Sequence, residues 1–113
     1  MDQYIYSEKR KSFNNDEEIF YWKDHHSLNF WMYEVKTLGL KDNYSEFKPS
    51  LKIYLKKENI DDLFFLLITN RGIYSSNIIP SENPDNLHMD LSFVKIAYER
   101  LNAGERIYYI ADW

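Results

Sequence analysis

Lys52, Tyr54 and Lys56 occupy alternate positions of one short stretch, interleaved with Leu51, Ile53 and Leu55. A strand sends alternate side chains to opposite faces, so the pattern predicts a half-exposed strand bearing a Lys-Tyr-Lys row. Such a row can stack a nucleobase on its ring and hold a phosphate with its ammonium groups. It equally suits a solvated sheet face, or an edge strand guarded by lysines. Arg71, Tyr74 and Trp113 form a second candidate set. An indole at the rim of a sheet, beside a phenol and a guanidinium, can floor a pocket for a ring-bearing ligand; its simpler role is to cap the core. Trp22 stands between two readings, core residue and exposed contact.

Catalytic and metal chemistry find little support. His25 and His26 are adjacent, so on a helix they diverge by about 100° and cannot chelate as an i, i+4 pair would. They read as polar surface or kink residues. Glu34-Val35-Lys36 has the E-x-K spelling of a restriction-type nuclease, but that chemistry needs the pair on a strand with a further acid upstream. Here the triplet falls in a helical pattern. Asp16-Glu17-Glu18 and Asp61-Asp62 suit helix starts, where carboxylates meet the favourable end of the helix dipole. The chain lacks cysteine, a nucleophile elbow, a P-loop and a dinucleotide glycine fingerprint. The expectation is therefore no catalytic residue, no metal and no cofactor.

The chain has 113 residues, a single-domain length, here taken as one globular domain over 1–113. Acidic residues outnumber basic ones, 18 to 14, for a net charge of -4. That balance disfavours non-specific nucleic-acid binding, which rests on neutralising phosphates. No apolar run approaches the roughly 20 residues that span a bilayer, and the N-terminus has no signal-peptide core, so the expected location is the cytoplasm. Aromatic residues reach 18%, with Tyr 10, Phe 7 and Trp 3. Most must fill the core of so small a domain; a surplus would suit a binding surface.

The elements that position these residues follow from periodicity. Gln3 to Tyr6 reads as a strand, and Glu8 to Lys11 as a polar turn. Asn14-Asn15 offers an N-cap for a helix carrying Ile19, Phe20 and Trp22. Leu28, Trp31, Met32, Val35 and Leu38 then form a clean helical stripe, rotated by roughly 120° from the first set at 100° per residue. The pattern predicts one helix kinked near Asp24–Ser27, with Ser27 as a second cap and Gly39 as the stop. After a loop over 40–49 and the strand at 50–56, a helix from about Glu58 to Asn70 buries Ile60, Leu63, Phe64, Leu67 and Ile68. Ile73-Tyr74-Ser75 suggests a short strand, and 76–86 a loop with Pro80 and Pro84. A helix over Asn86–Asn102 buries Leu87, Leu91, Val94, Ala97, Tyr98 and Leu101, with Gly104 as its C′ residue. The last strand is apolar on both faces, as a central strand is. Because it runs to the end of the chain, the chain is expected to be one complete fold. The predicted class is α+β: a sheet of about four strands in β-α-β-α-β-α-β order, packed by three helices, the first kinked and the C-terminal strand central.

Four stretches also carry a resemblance. Tyr4-Ile5-Tyr6, Glu18-Ile19-Phe20-Tyr21-Trp22-Lys23 and Leu28-Asn29-Phe30-Trp31-Met32 are similar to a pattern I-x-Y-W-R-K-x-x-x-L-x-x-W-M. Leu55 to Leu63 is similar to a strand followed by an acidic helix start. Gly72-Ile73-Tyr74 sits where the pattern has G-F-F-F-G. Asp90-Leu91-Ser92-Phe93, Ala103-Gly104 and Tyr108-Tyr109 with Trp113 are similar to D-L-x-F-I … G-x-x-V-Y-Y-x-S-x-W. In these stretches the chain resembles a family of small uncharacterised proteins of phages, prophages and bacteria. Ser75-Ser76 replaces the second glycine of the turn, and Asp112 replaces the small residue before the final aromatic. The resemblance implies a mobile-element setting, with the host cytoplasm as location, and no activity to carry over.

The expected function is binding without catalysis, with a host protein as partner and inhibition or modulation of a host or defence enzyme as the outcome. The alternative is a sponge that sequesters a nucleotide-like small molecule between aromatic and basic side chains. A metal-dependent enzyme is the third reading.

Overall fold

The fold is described from a computed structural model over residues 1–8, 16–39, 51–70 and 86–112. Across these the chain runs β1 (Asp2–Glu8), β2 (Glu17–Lys23), α1 (His26–Gly39), β3 (Ile53–Leu55), α2 (Lys57–Asn70), α3 (Asn86–Asn102) and β4 (Arg106–Asp112). The strands form one four-stranded sheet in the order β2-β1-β4-β3, every pairing antiparallel. The α+β class and the central position of the C-terminal strand are as expected. The expected loop at 40–49, the strand at Ile73-Tyr74-Ser75 and the loop residues 76–85 lie outside the described residues.

The expected kinked helix is instead a strand followed by a helix. Glu17–Lys23 pairs with β1, and the apparent kink is the turn between β2 and α1. The helix-like pattern of this strand has a local cause. Ile5 pairs with Phe20 but Tyr6 with Glu18, so Ile19 is an extra residue in β2. A bulge of this kind breaks the two-residue alternation. It lets Ile19 and Phe20, sequence neighbours, both pack against the core. The resulting apolar set at 19, 20 and 22 imitates part of a helical turn.

At the turn, Asp24 adopts a left-handed φ of 56° and donates its N–H to the Met1 carbonyl at 2.9 Å. Aspartate tolerates that conformation better than most residues. The first turn of α1 opens with the Asn29 N–H on the His25 carbonyl, so His25, and not Ser27, is the boundary residue. Leu28, Trp31 and Met32 are buried as expected; Val35 and Leu38 lie outside the described side chains.

The three helices share one face of the sheet. Ile5, Trp22, Ile53, Leu55, Ile107, Tyr109 and Ala111 join Leu28, Met32, Ile60, Leu63, Leu67, Phe93, Val94 and Ala97 in one core. α1 packs on β3, α3 on β4, and α2 on α3. In α2 the buried line is Ile60, Leu63 and Leu67. Phe64 and Ile68, expected inside, are exposed, as is Phe65 at 63%. In α3 the buried line is Asp90, Phe93, Val94 and Ala97, and the expected Leu87, Leu91, Tyr98 and Leu101 only flank it. Both helices are thus turned slightly from the purely apolar phase, and α3 carries an aspartate into the core. α3 ends in a Schellman motif: Glu105 N–H reaches Arg100 C=O at 3.1 Å, Gly104 N–H reaches Leu101 C=O at 3.0 Å, and Gly104 has φ 83°.

Candidate functional site

The face of the sheet opposite the helices carries a continuous row of tyrosines. On β1 the inward positions are Gln3, Ile5 and Ser7, which leaves Asp2, Tyr4, Tyr6 and Glu8 pointing outward. The register then sets Tyr21 of β2 opposite Tyr4, Tyr108 of β4 opposite Tyr6, and Tyr54 of β3 opposite Tyr108. Ring centroids are 5.3 Å apart for Tyr21 and Tyr4, 5.9 Å for Tyr4 and Tyr6, 5.5 Å for Tyr6 and Tyr108, and 5.4 Å for Tyr108 and Tyr54. The row therefore crosses all four strands. Cross-strand aromatic pairs of this kind stabilise the sheet; Tyr108 in the row is buried, Tyr4 and Tyr6 are half-buried, and Tyr21 and Tyr54 at its ends are exposed.

Carboxylates hold the hydroxyls. Tyr21 donates to Asp2 at 2.6 Å, Tyr54 to Glu8 at 2.5 Å and Tyr108 to Asp16 at 2.6 Å. The hydrogen bond to Asp2 pushes the Tyr21 phenol up to about 12. The bond to Glu8 raises Tyr54, and burial followed by the bond to Asp16 raises Tyr108. These phenols are neutral donors at physiological pH, not nucleophiles or bases. Two cations lie on the rings: Lys52 Nζ is 4.9 Å from the Tyr108 centroid, and the Arg106 guanidinium is 4.4 Å from that of Tyr54. Arg106 also sits 3.6 Å from Glu8.

The predicted site residues separate here. Lys52 and Tyr54 belong to the open face, as the alternation indicated. Lys56 has left the strand: its carbonyl accepts the Ile60 N–H at 3.2 Å and its N–H goes to Asn59 Oδ1 at 2.7 Å, opening α2. Trp22, weighed as an exposed contact, is 1% exposed and packs against Phe20 and Phe93 at 4.6 and 5.0 Å. It is a core residue and offers nothing to a partner. Arg71, Tyr74 and Trp113 lie outside the described residues. Tyr4, Tyr6, Tyr21, Tyr108 and Arg106 were missed, although Tyr4 and Tyr6 carry the same two-residue spacing that drew attention to Lys52, Tyr54 and Lys56.

Beneath the sheet runs a buried polar chain. Asp90 accepts the Trp22 indole N–H at 2.9 Å on one oxygen and faces His25 Nε2 at 2.8 Å with the other. Gln3 brackets the His25 backbone, accepting its N–H at 2.6 Å and donating to its carbonyl at 2.9 Å. Its amide also donates to the Tyr109 hydroxyl at 3.0 Å, and Tyr109 donates to Asn29 at 2.6 Å. His25, read as a surface or kink residue, is in fact 1% exposed. A buried polar group is tolerated when it is hydrogen-bonded, and Asp90 meets that condition. The chain joins β1, β2, α1, α3 and β4, and its burial marks it as structural. The Glu34 carboxylate lies mid-helix in α1, as its sequence setting indicated, and Asp61 accepts the Tyr98 hydroxyl.

Among the described residues, no group of three or more His, Asp or Glu side chains converges as metal ligands, and no helix is long and apolar enough to cross a membrane. No protein-family profile, curated protein or solved structure matches the chain.

Proposed function

We propose that this protein acts by binding another protein with the face of its sheet opposite the helices. The observation that carries the proposal is the tyrosine row, with Tyr21 and Tyr54 each 39% exposed at its two ends. Tyrosine suits such a role because a stiff ring contributes contact area and a hydrogen-bonding tip at little entropic cost. Neighbouring rings and carboxylates already restrain each ring, so little order has to be imposed on binding. The resemblance to phage and prophage proteins makes a host protein the partner to seek, an enzyme of the host or of its defences first, with inhibition or modulation as the consequence.

The nucleotide-sponge reading has weaker support. Two basic groups of this face are engaged, Lys52 over Tyr108 and Arg106 between Tyr54 and Glu8. Carboxylates line the same surface and oppose a phosphate.

The test compares wild type with a Tyr21→Ser/Tyr54→Ser variant as bait in host lysate. Both substitutions are at exposed ring positions, so the fold should survive, and circular dichroism checks that it does. A specific protein retained by wild type and lost by the variant supports the proposal. Equal capture by both, or capture of nothing specific, removes it.

A further inference from the structure

The two ends of the tyrosine row differ in charge. At the β3 end the protein's own cations lie on the rings, Lys52 over Tyr108 and Arg106 over Tyr54, with Glu8 beside the guanidinium. At the β2 end the rings of Tyr4 and Tyr21 meet at 5.3 Å. Asp2 and Asp112 face each other in the register of β1 and β4, and Glu18 lies opposite Tyr6. Tyr4 feels all three: burial first, then Asp2, Tyr6, Glu18 and Asp112, raises its phenol pKa. Asp2 is committed to the Tyr21 hydroxyl. Lys23, opposite Asp2, and the Met1 ammonium, paired with Asp24 at 2.6 Å, are the cations that the described residues bring to this end. Asp2, Glu18, Asp112 and Asp24 outnumber them, so the described residues leave the end negative.

We propose that the Tyr4–Tyr21 end receives an arginine side chain from a protein partner, its guanidinium stacked on the Tyr21 ring within the negative field of Asp2, Glu18 and Asp112. The inference rests on the reading of this face as a binding surface and gives the chemistry of what binds. Charge complementarity selects a cation and opposes nucleic acid. Geometry selects arginine over lysine, because only a planar guanidinium can stack on a ring and still present in-plane donors to a carboxylate. The far end of the row already holds that arrangement within the protein: Arg106 over Tyr54 with Glu8 alongside.

The experiment follows tyrosine ring signals of the full chain by NMR during titration with a Gly/Ser heptapeptide bearing one central arginine, and with its citrulline twin. Citrulline keeps the shape and removes the charge. The expected result is saturating shifts at Tyr4 and Tyr21 with Tyr54 unmoved, and binding about fivefold weaker for the citrulline peptide. Glu18→Gln/Asp112→Asn, at two exposed positions, should weaken the arginine peptide to a similar extent. Equal binding of the two peptides, no shift, or a shift centred on Tyr54 would overturn the proposal. So would the same ring shifts on adding AMP, or on raising protein concentration alone, which would mark a nucleotide or a second copy as occupant. Used as lysate bait, the acid-to-amide variant separates the two readings. If it retains a partner that Tyr21→Ser/Tyr54→Ser loses, the arginine proposal fails and the face reading stands. If the tyrosine variant also retains it, the face reading itself fails.

Discussion

Trp22 donates its indole N–H to Asp90 across 68 positions of sequence, at 2.9 Å and with both side chains 1% exposed. The contact ties an edge strand to α3. It also joins the two ends of the motif pattern noted in the sequence, the tryptophan near the N-terminus and the aspartate that opens Asp90-Leu91-Ser92-Phe93. The second oxygen of Asp90 holds His25 at the start of α1, so one carboxylate orders three elements.

Asp90→Ala should therefore be among the most damaging single changes. It leaves the Trp22 N–H and His25 Nε2 facing a void in the core, and each buried polar group left without its partner costs roughly 1–3 kcal/mol. Urea denaturation followed by tryptophan fluorescence measures it. A loss below about 1 kcal/mol would show that the network is not a determinant of stability.

Gln3→Leu keeps the side-chain volume and removes three hydrogen bonds, two to the His25 backbone and one to Tyr109. Each buried group left without its partner costs roughly 1–3 kcal/mol. The specific signature is faster amide exchange at His25. An unchanged rate there would mean that Gln3 does not secure the β2–α1 turn.

Two neighbouring substitutions on α2 test which face is buried. Leu63 is fully buried, so Leu63→Ala should cost about 2–5 kcal/mol. Phe65 is 63% exposed, so Phe65→Ala should change stability by no more than about 0.5 kcal/mol. Comparable losses at both positions in thermal melts would contradict this orientation of α2.

Alkaline pH should weaken the fold through its tyrosines. Tyr21, held by Asp2, and Tyr33 and Tyr98, raised chiefly by burial, ionise at about 12 against 10.0 for a free phenol. A raised folded-state pKa adds stability that is complete below 10 and is lost as pH climbs through 12, because the folded state binds the proton more tightly. Stability should fall over that window, and Tyr21→Phe should make the fall shallower by up to one proton. Denaturant midpoints measured from pH 9 to 12 report it; an unchanged slope in Tyr21→Phe would remove Tyr21 from the effect.

Where one residue's neighbours in sequence are also its neighbours in space, periodicity was enough. The bounds of α3, its Gly104 stop and the two-sided apolar character of β4 follow from local pattern, because helical and strand repeats are set by backbone geometry. The alternation of Lys52 and Tyr54 placed them on the correct face for the same reason. Asp90 shows a signal that was present but ambiguous: it lies at the i, i+3, i+4, i+7 spacing with Phe93, Val94 and Ala97, and a polar residue in that phase is legible only once its buried donors are known.

The rest depended on tertiary structure. The sequence of β2 carries a helix-like pattern because a bulge at Ile19 erases the alternation, and only pairing with β1 selects the strand. Which tyrosines meet depends on the register of strands that are distant in the chain, so the row across Tyr21, Tyr4, Tyr6, Tyr108 and Tyr54 has no counterpart in any local window. Composition fixed the surplus of aromatic rings. Whether a given ring fills the core, as Trp22 does beside Asp90, or lines the open face, as Tyr21 does beside Asp2, was decided by long-range strand pairing and by the single sheet face on which the helices pack.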